Sequence, residues 1–213
     1  MATFRKPKDP PAYTAVETPR QLRALASTLR QELVDLVQAL GQASIPELAA
    51  QLQRPADALY YHVRALERAG LLVTVGSRQR GRHVEKLYST PEPASRLKLR
   101  YRSGKPTATK PLRDLVASML RGARRDFDRA IADPDCVLDG ELRELWAGRA
   151  VGWVTPSELR RLNQLLEEAG ALLSSARSPA RNRMYALQFL LSPSDLPRRP
   201  APPMKRGRKS IQT

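Results

Sequence analysis

At Gly70 the hydrophobic period of the chain changes, and few folds accommodate that change. Before it, Leu59, Val63 and Leu66 recur at helical spacing. After it, Leu71 to Val75 is a short apolar, β-branched run, and Val84 to Thr90 alternates Val84, Lys86 and Tyr88 against Glu85 and Leu87. A period of about 3.6 residues that gives way to 2 at a glycine predicts a helix stopped by a C′ residue, then strands. The segment between the strands, Gly76-Ser77-Arg78-Gln79-Arg80-Gly81-Arg82, is rich in turn formers and arginine, so the strands read as a hairpin with a basic tip.

Upstream, capping signals divide the chain. Thr18-Pro19-Arg20-Gln21 holds an N-cap, a proline at the first helical position and a capping-box glutamine. The stripe Leu22, Leu25, Leu29, Leu33, Val37, Leu40 follows, and Gly41 stops it, which predicts one helix of about 20 residues. Ser44-Ile45-Pro46-Glu47 is a second capping box and opens a short helix with Leu48, Ala49 and Leu52 inward. Arg54-Pro55 breaks the chain and restarts it as a helix over about 55–69. The order helix, short helix, turn, helix, glycine, hairpin describes a winged helix-turn-helix over residues 18–90.

Such a fold anchors one helix by an apolar back and offers a polar front to a major groove. Leu59, Val63, Leu66 and Gly70 fall within roughly 60° at 100° per residue. The other face carries Arg54, Asp57, Tyr61, Arg64 and Arg68, with Tyr60 at its margin. Arg64 can donate two hydrogen bonds to guanine, and either tyrosine can meet a thymine methyl or a phosphate. Asp57 can accept from a cytosine amine or stabilise the helix start. Arg78, Arg80 and Arg82, in the loop 76–83, suit a phosphate backbone or a narrow minor groove. The expected partner is double-stranded DNA.

Charge agrees with that partner and locates it. The 213 residues carry a formal net charge of +16. Segment by segment the net is +2 over 1–20, +3 over 21–90, +6 over 91–113, zero over 114–193 and +5 over 194–213. A polyanion is thus attracted to the helix-turn-helix, to the segment after it and to the tail, not to the neutral block. Within the tail, Lys205-Arg206-Gly207-Arg208-Lys209 is similar to an AT-hook core, without the proline usual after the second arginine.

The remaining segments read as follows. Residues 1–17 are a flexible, proline-containing arm, 91–111 a basic connector and 193–213 a disordered basic tail. Residues 112–192 form a helical, α+β region. Its elements are a helix from Leu112 to Ile131, a short helix over 141–149, a strand ending at Trp153-Val154, a helix over 156–176 launched by Thr155-Pro156-Ser157-Glu158, and a strand from Met184 to Leu191. Trp146 and Trp153 are expected in its core. Its Leu-rich stripes exceed what one small domain needs, so it supplies a homodimer interface, a small-molecule effector pocket, or both. The fold class is mainly α with a little β.

Several functions lack material here. One cysteine and two histidines allow no disulfide framework. Cys136, His62 and His83 are too scattered for a thiolate metal site, and His62 reads as a packing histidine with its hydrogen bonds satisfied. There is no Gly-rich phosphate loop and no nucleophile elbow, so neither an enzyme nor a cofactor is expected. No stretch reaches the roughly 18 apolar residues of a membrane span, and Met1 to Tyr13 has no signal-peptide character, which places the protein in the cytoplasm.

Leu25-Ala26-Ser27-Thr28-Leu29-Arg30, Ile45-Pro46-Glu47-Leu48-Ala49 and the run from Ala58 to Leu72, ALYYHVRALERAGLL, together resemble the ArsR-like winged-helix regulators of bacteria, and Gly81-Arg82 with Tyr88 continues the likeness. The resemblance implies a homodimeric, operator-binding transcription regulator whose recognition helix starts near Pro55. The cysteine and histidine cluster of metal-sensing members is missing, so it implies the non-metal-sensing type. Two rival readings fit the same charge: an architectural, nucleoid-type protein with little sequence specificity, and an adaptor whose winged helix no longer binds DNA.

Overall fold

The computed structural model describes residues 13–92, 96–100, 109–174 and 183–194. Capping decides where the first helices begin. Thr18 accepts from the Gln21 N–H through its side chain, and the Gln21 side chain accepts from the Thr18 N–H, which opens α1, Pro19–Leu25. The single long helix expected from the leucine stripe is in fact two. The chain breaks at Ala26 and Ser27, and α2 spans Thr28–Leu40. Side chains from α2 hold the broken end together. Arg30 donates to the Ala24 and Arg23 carbonyls and Gln31 donates to Leu25 at 2.6 Å, so these carbonyls have partners.

Ser44 and Glu47 form the second capping box as expected, and α3 runs Ile45–Leu52. Gln53 takes a left-handed conformation, φ 51°, and the chain turns through Arg54 and Pro55 into α4, Ala56–Arg68. Two hydrogen bonds end α4: Gly70 N–H to Glu67 O at 2.9 Å and Leu71 N–H to Leu66 O at 3.0 Å. That is the Schellman arrangement, with Leu71 and Leu66 both buried beneath it. It requires φ +69° at Gly70, where an added Cβ would meet nothing within 4 Å. The cost of a side chain there is conformational alone. Gly70→Ala is expected to lower stability by about 1 kcal/mol in urea titration, with the m-value unchanged.

Among the described residues five strands accompany the helices: β1 Tyr13–Val16, β2 Ala43–Ser44, β3 Val73–Arg80, β4 His83–Ser89 and β5 Arg96–Leu99. β3 and β4 pair antiparallel from Val73↔Ser89 to Arg80↔His83, with a register shift between Thr74 and Gly76. β2 adds to the other edge of β4. The ladder thus continues through much of the expected loop 76–83 and leaves only Gly81 and Arg82 at the tip. Polar residues on both faces hid this strand, because alternation is visible only where one face is apolar. β1 pairs parallel with β5, so residues 13–16 of the expected arm and 96–99 of the expected connector are strands. Val16 is buried against the core, and Leu97 and Leu99 pack beside it.

One buried cluster unites these elements. Leu33, Val37, Leu48, Leu59, Val63, Leu66, Leu71 and Leu72 are among its fully enclosed members. Helix α5, Thr109–Ile131, joins the same cluster through Leu115. Its small residues let it approach closely: Ser118 hydrogen-bonds Thr28 at 3.3 Å, and a Cβ on Gly122 would stand 3.2 Å from Thr28 Cγ2. Arg125 then pairs with Glu32 at 2.6 Å.

Beyond α5 the outcome differs from expectation. Helix α6, Pro156–Ser174, forms, but residues 143–155 and 184–194 carry no helix or strand. The short helix over 141–149 gives way to a closed loop, because Glu144 N–H is bonded to Val137 O at 2.7 Å and the Glu144 carboxylate accepts from Val137 N–H. Trp146 and Trp153 are 70% and 69% exposed rather than in a core. Arg143 covers one face of the Trp146 ring at 3.2 Å from its centroid, a surface stacking arrangement. The AT-hook-like segment and most of the tail lie outside the described residues.

Candidate nucleic-acid interface

The amphipathicity of α4 builds the site. Leu59, Val63 and Leu66 are fully buried and fix the helix by one arc. Asp57, Tyr60, Tyr61, Arg64 and Arg68 occupy an arc on the other side, and Arg54 precedes the helix; all six are exposed. Tyr61 is 65% exposed, and no described part of the C-terminal half covers it. Asp57 lies in the first turn and Arg68 in the last, which matches each charge to the helix dipole. Arg68 also donates to the Arg64 carbonyl at 3.3 Å.

His62 sits between the two arcs. Its ring meets Tyr61 edge-on at 5.4 Å between centroids. Its Nδ1 is buried without a hydrogen-bond partner, so the expected packing histidine does pack, but its hydrogen bonds are not all satisfied. Burial, then Arg30 and Arg54, hold its pKa below the ordinary histidine value.

The hairpin is tied to both α3 and α4. Thr74 of β3 donates to Glu67 of α4 at 2.8 Å. Arg78 donates to Glu47 of α3 at 2.8 Å and to Glu85 of β4 at 3.2 Å. Arg80 stands 3.8 Å from the other Glu85 oxygen. The three expected hairpin arginines therefore divide by role. Arg78 clasps the hairpin to α3, Arg80 lies along β4 with most of its side chain in solvent, and Arg82 projects at the tip.

Glu47 and Glu85 are site residues that sequence reasoning left out of the interface. Glu47 was visible as a helix cap, but its second partner lies 31 positions away. Its carboxyl is held below the ordinary glutamate range by the Ser44 N–H and then by Arg78. That of Glu85 is lowered by the Ser44 hydroxyl and then by Arg78. A depressed carboxylate stabilises the folded form above its unfolded pKa and loses that contribution as pH falls through the folded value. The clasp is thus expected to be complete at neutral pH and to open below the ordinary glutamate range. Faster amide exchange in β3 than in α4 on acidification would show it.

Electrostatically the open face of α4 and the hairpin form one surface with an excess of arginine. Residues 25–75 match the family model of a helix-turn-helix domain. The match runs from the last residue of α1 into β3 and contains α2, α3 and α4 whole, though it is less than half of the chain. No curated protein matches. The chain carries a helix-turn-helix domain, a DNA-binding module of transcription regulators, in a setting of mixed helix and small sheets. No described helix is long and apolar enough to cross a membrane.

Proposed function

We propose that the protein is a sequence-specific transcription regulator of the ArsR-like, non-metal-sensing kind, acting as a homodimer on double-stranded DNA. Helix α4 is its recognition helix and the β3–β4 hairpin its wing. The observation that carries this reading is the open arc of Asp57, Tyr60, Tyr61, Arg64 and Arg68, backed by leucines that leave it no other way to face. A helix held so presents side chains of the right reach and chemistry to base edges. The hairpin, fixed to α4 by Thr74 and to α3 by Arg78, carries Arg80 and Arg82 to the flanking backbone or minor groove. Two copies related by a two-fold would read half-sites about one helical turn apart.

Selection of bound DNA from a random pool at fixed salt, followed by footprinting, tests it. An enriched motif with two half-sites and a discrete protected region is the expected result. Uniform protection without enrichment would replace it with the architectural reading.

A further inference from the structure

The C-terminal third presents apolar side chains to solvent along three runs. On α6, Leu159, Leu162, Leu165 and Leu173 are exposed. Together with Leu166 and Ala169 they make a stripe with spacings of three and four, the pattern of a helix that pairs with another helix. Val151 and Val154 are exposed just before it. After it, residues 184–191 carry no helix or strand, and Met184, Leu187, Phe189 and Leu190 are exposed. A run apolar at alternate and adjacent positions is suited to a strand covered on both faces, yet none of it is paired in a sheet among the described residues.

We infer that this surface is the contact between two copies of the chain, centred on an antiparallel pairing of α6 with α6 of the partner subunit. This deepens the homodimer reading and rests on it. Two features select a second copy as the occupant. The first is net charge. Residues 114–193 sum to zero in a chain of +16, so this is the face by which two such chains approach without repulsion, and it offers nothing to a polyanion.

The second is the order of charges along α6. Arg160 and Arg161 lie in its first half, after Glu158, whose carboxylate is spent capping the helix at Thr155; Glu167 and Glu168 lie in its second half, Glu167 paired with Lys98. An order that sets Arg161 before the middle of the helix and Glu168 after it is complementary to itself when turned end for end, as a two-fold requires. Pairing the helices about their middle residue, Leu165, brings Arg161 within one residue of the level of Glu168 of the partner subunit, and the reverse. Within one helix the same two side chains reach each other at 3.5 Å, and both border the leucine stripe. The dipoles of antiparallel helices also oppose favourably.

The test uses the full chain and reads mass by sedimentation equilibrium. Wild type is expected to be a dimer. Arg161→Glu and Glu168→Arg are each expected to weaken self-association roughly tenfold, because each places like charges together at two symmetric points. Mixing the two variants is expected to restore dimers, now mixed ones. The mixture separates the contact between chains from the contact within a helix, since the latter stays repulsive in both. Leu162→Glu is expected to be monomeric with unchanged helix content. Dimers that survive all these changes would overturn the proposed interface and leave the homodimer reading standing. A monomeric wild type would overturn both.

Discussion

Leu66→Ala is expected to lower the free energy of unfolding by about 2–5 kcal/mol, the range for removing a large aliphatic side chain from a packed core. Leu66 is fully buried on the inner arc of α4 with Leu59 and Val63, in the cluster that includes Leu33, Leu48 and Leu71. The members of that cluster come from α2, α3, α4 and the turn after α4, so no single element can move in to fill the space. The void then adds to the lost transfer energy. A domain of this size has roughly 5–15 kcal/mol in all, so the loss is a large share. Urea denaturation checks it: the midpoint should fall while the m-value holds. A change below 1 kcal/mol would mean that α4 is not anchored by this arc. DNA affinity should fall as well, though Leu66 faces away from the open surface, because the same arc sets the angle at which Arg64 is presented.

What was legible in the sequence follows from where each signal lies. The bounds of α3 and α4 are written locally, in Ser44 with Glu47, in Pro55, in the spacing of Leu59, Val63 and Leu66, and in Gly70. The open face of α4 follows from the buried one by geometry alone. The break between α1 and α2 is not written locally, because Leu22, Leu25, Leu29 and Leu33 keep helical spacing across it. It is held by Arg30 and Gln31 reaching back six or seven positions to carbonyls, contacts that the spacing of apolar residues does not announce. The β1–β5 pair joins segments some eighty positions apart, and a parallel pair carries no turn signal of the kind that announces a hairpin.

The site was legible to a similar depth. Every residue expected at the interface is on the surface, as their charge and spacing indicated. The different duty of Arg78 was hidden, since its spacing from Arg80 and Arg82 is the same as that of a solvent-facing residue. Only the folded hairpin brings Glu47 and Glu85 to it. Trp146 and Trp153 failed for another reason. Hydrophobicity says that a ring gains by burial, not that the same chain supplies the cover.

Arg64→Ala is expected to cost about 1–3 kcal/mol on the preferred DNA site and to relax choice at one base pair. Arg64 lies mid-way along the open arc of α4, one turn from Tyr60 and Tyr61 and one turn before Arg68. Its guanidinium can make two parallel bonds to a guanine edge, and no neutral side chain replaces that geometry. Arg80→Ala should behave differently. It stands on β4's partner strand with its side chain largely in solvent and only a 3.8 Å approach to Glu85, so its loss should weaken all sequences by a similar factor and reduce the salt slope by about one. Arg78→Ala makes a third pattern. The clasp to Glu47 opens, the hairpin loses its fixed angle to α3, and affinity falls with little change in base preference. Binding isotherms for the three variants on the selected site and on single-base changes of it, at several salt concentrations, separate these outcomes. Equal losses at every base for Arg64→Ala would assign α4 to the backbone rather than to the bases.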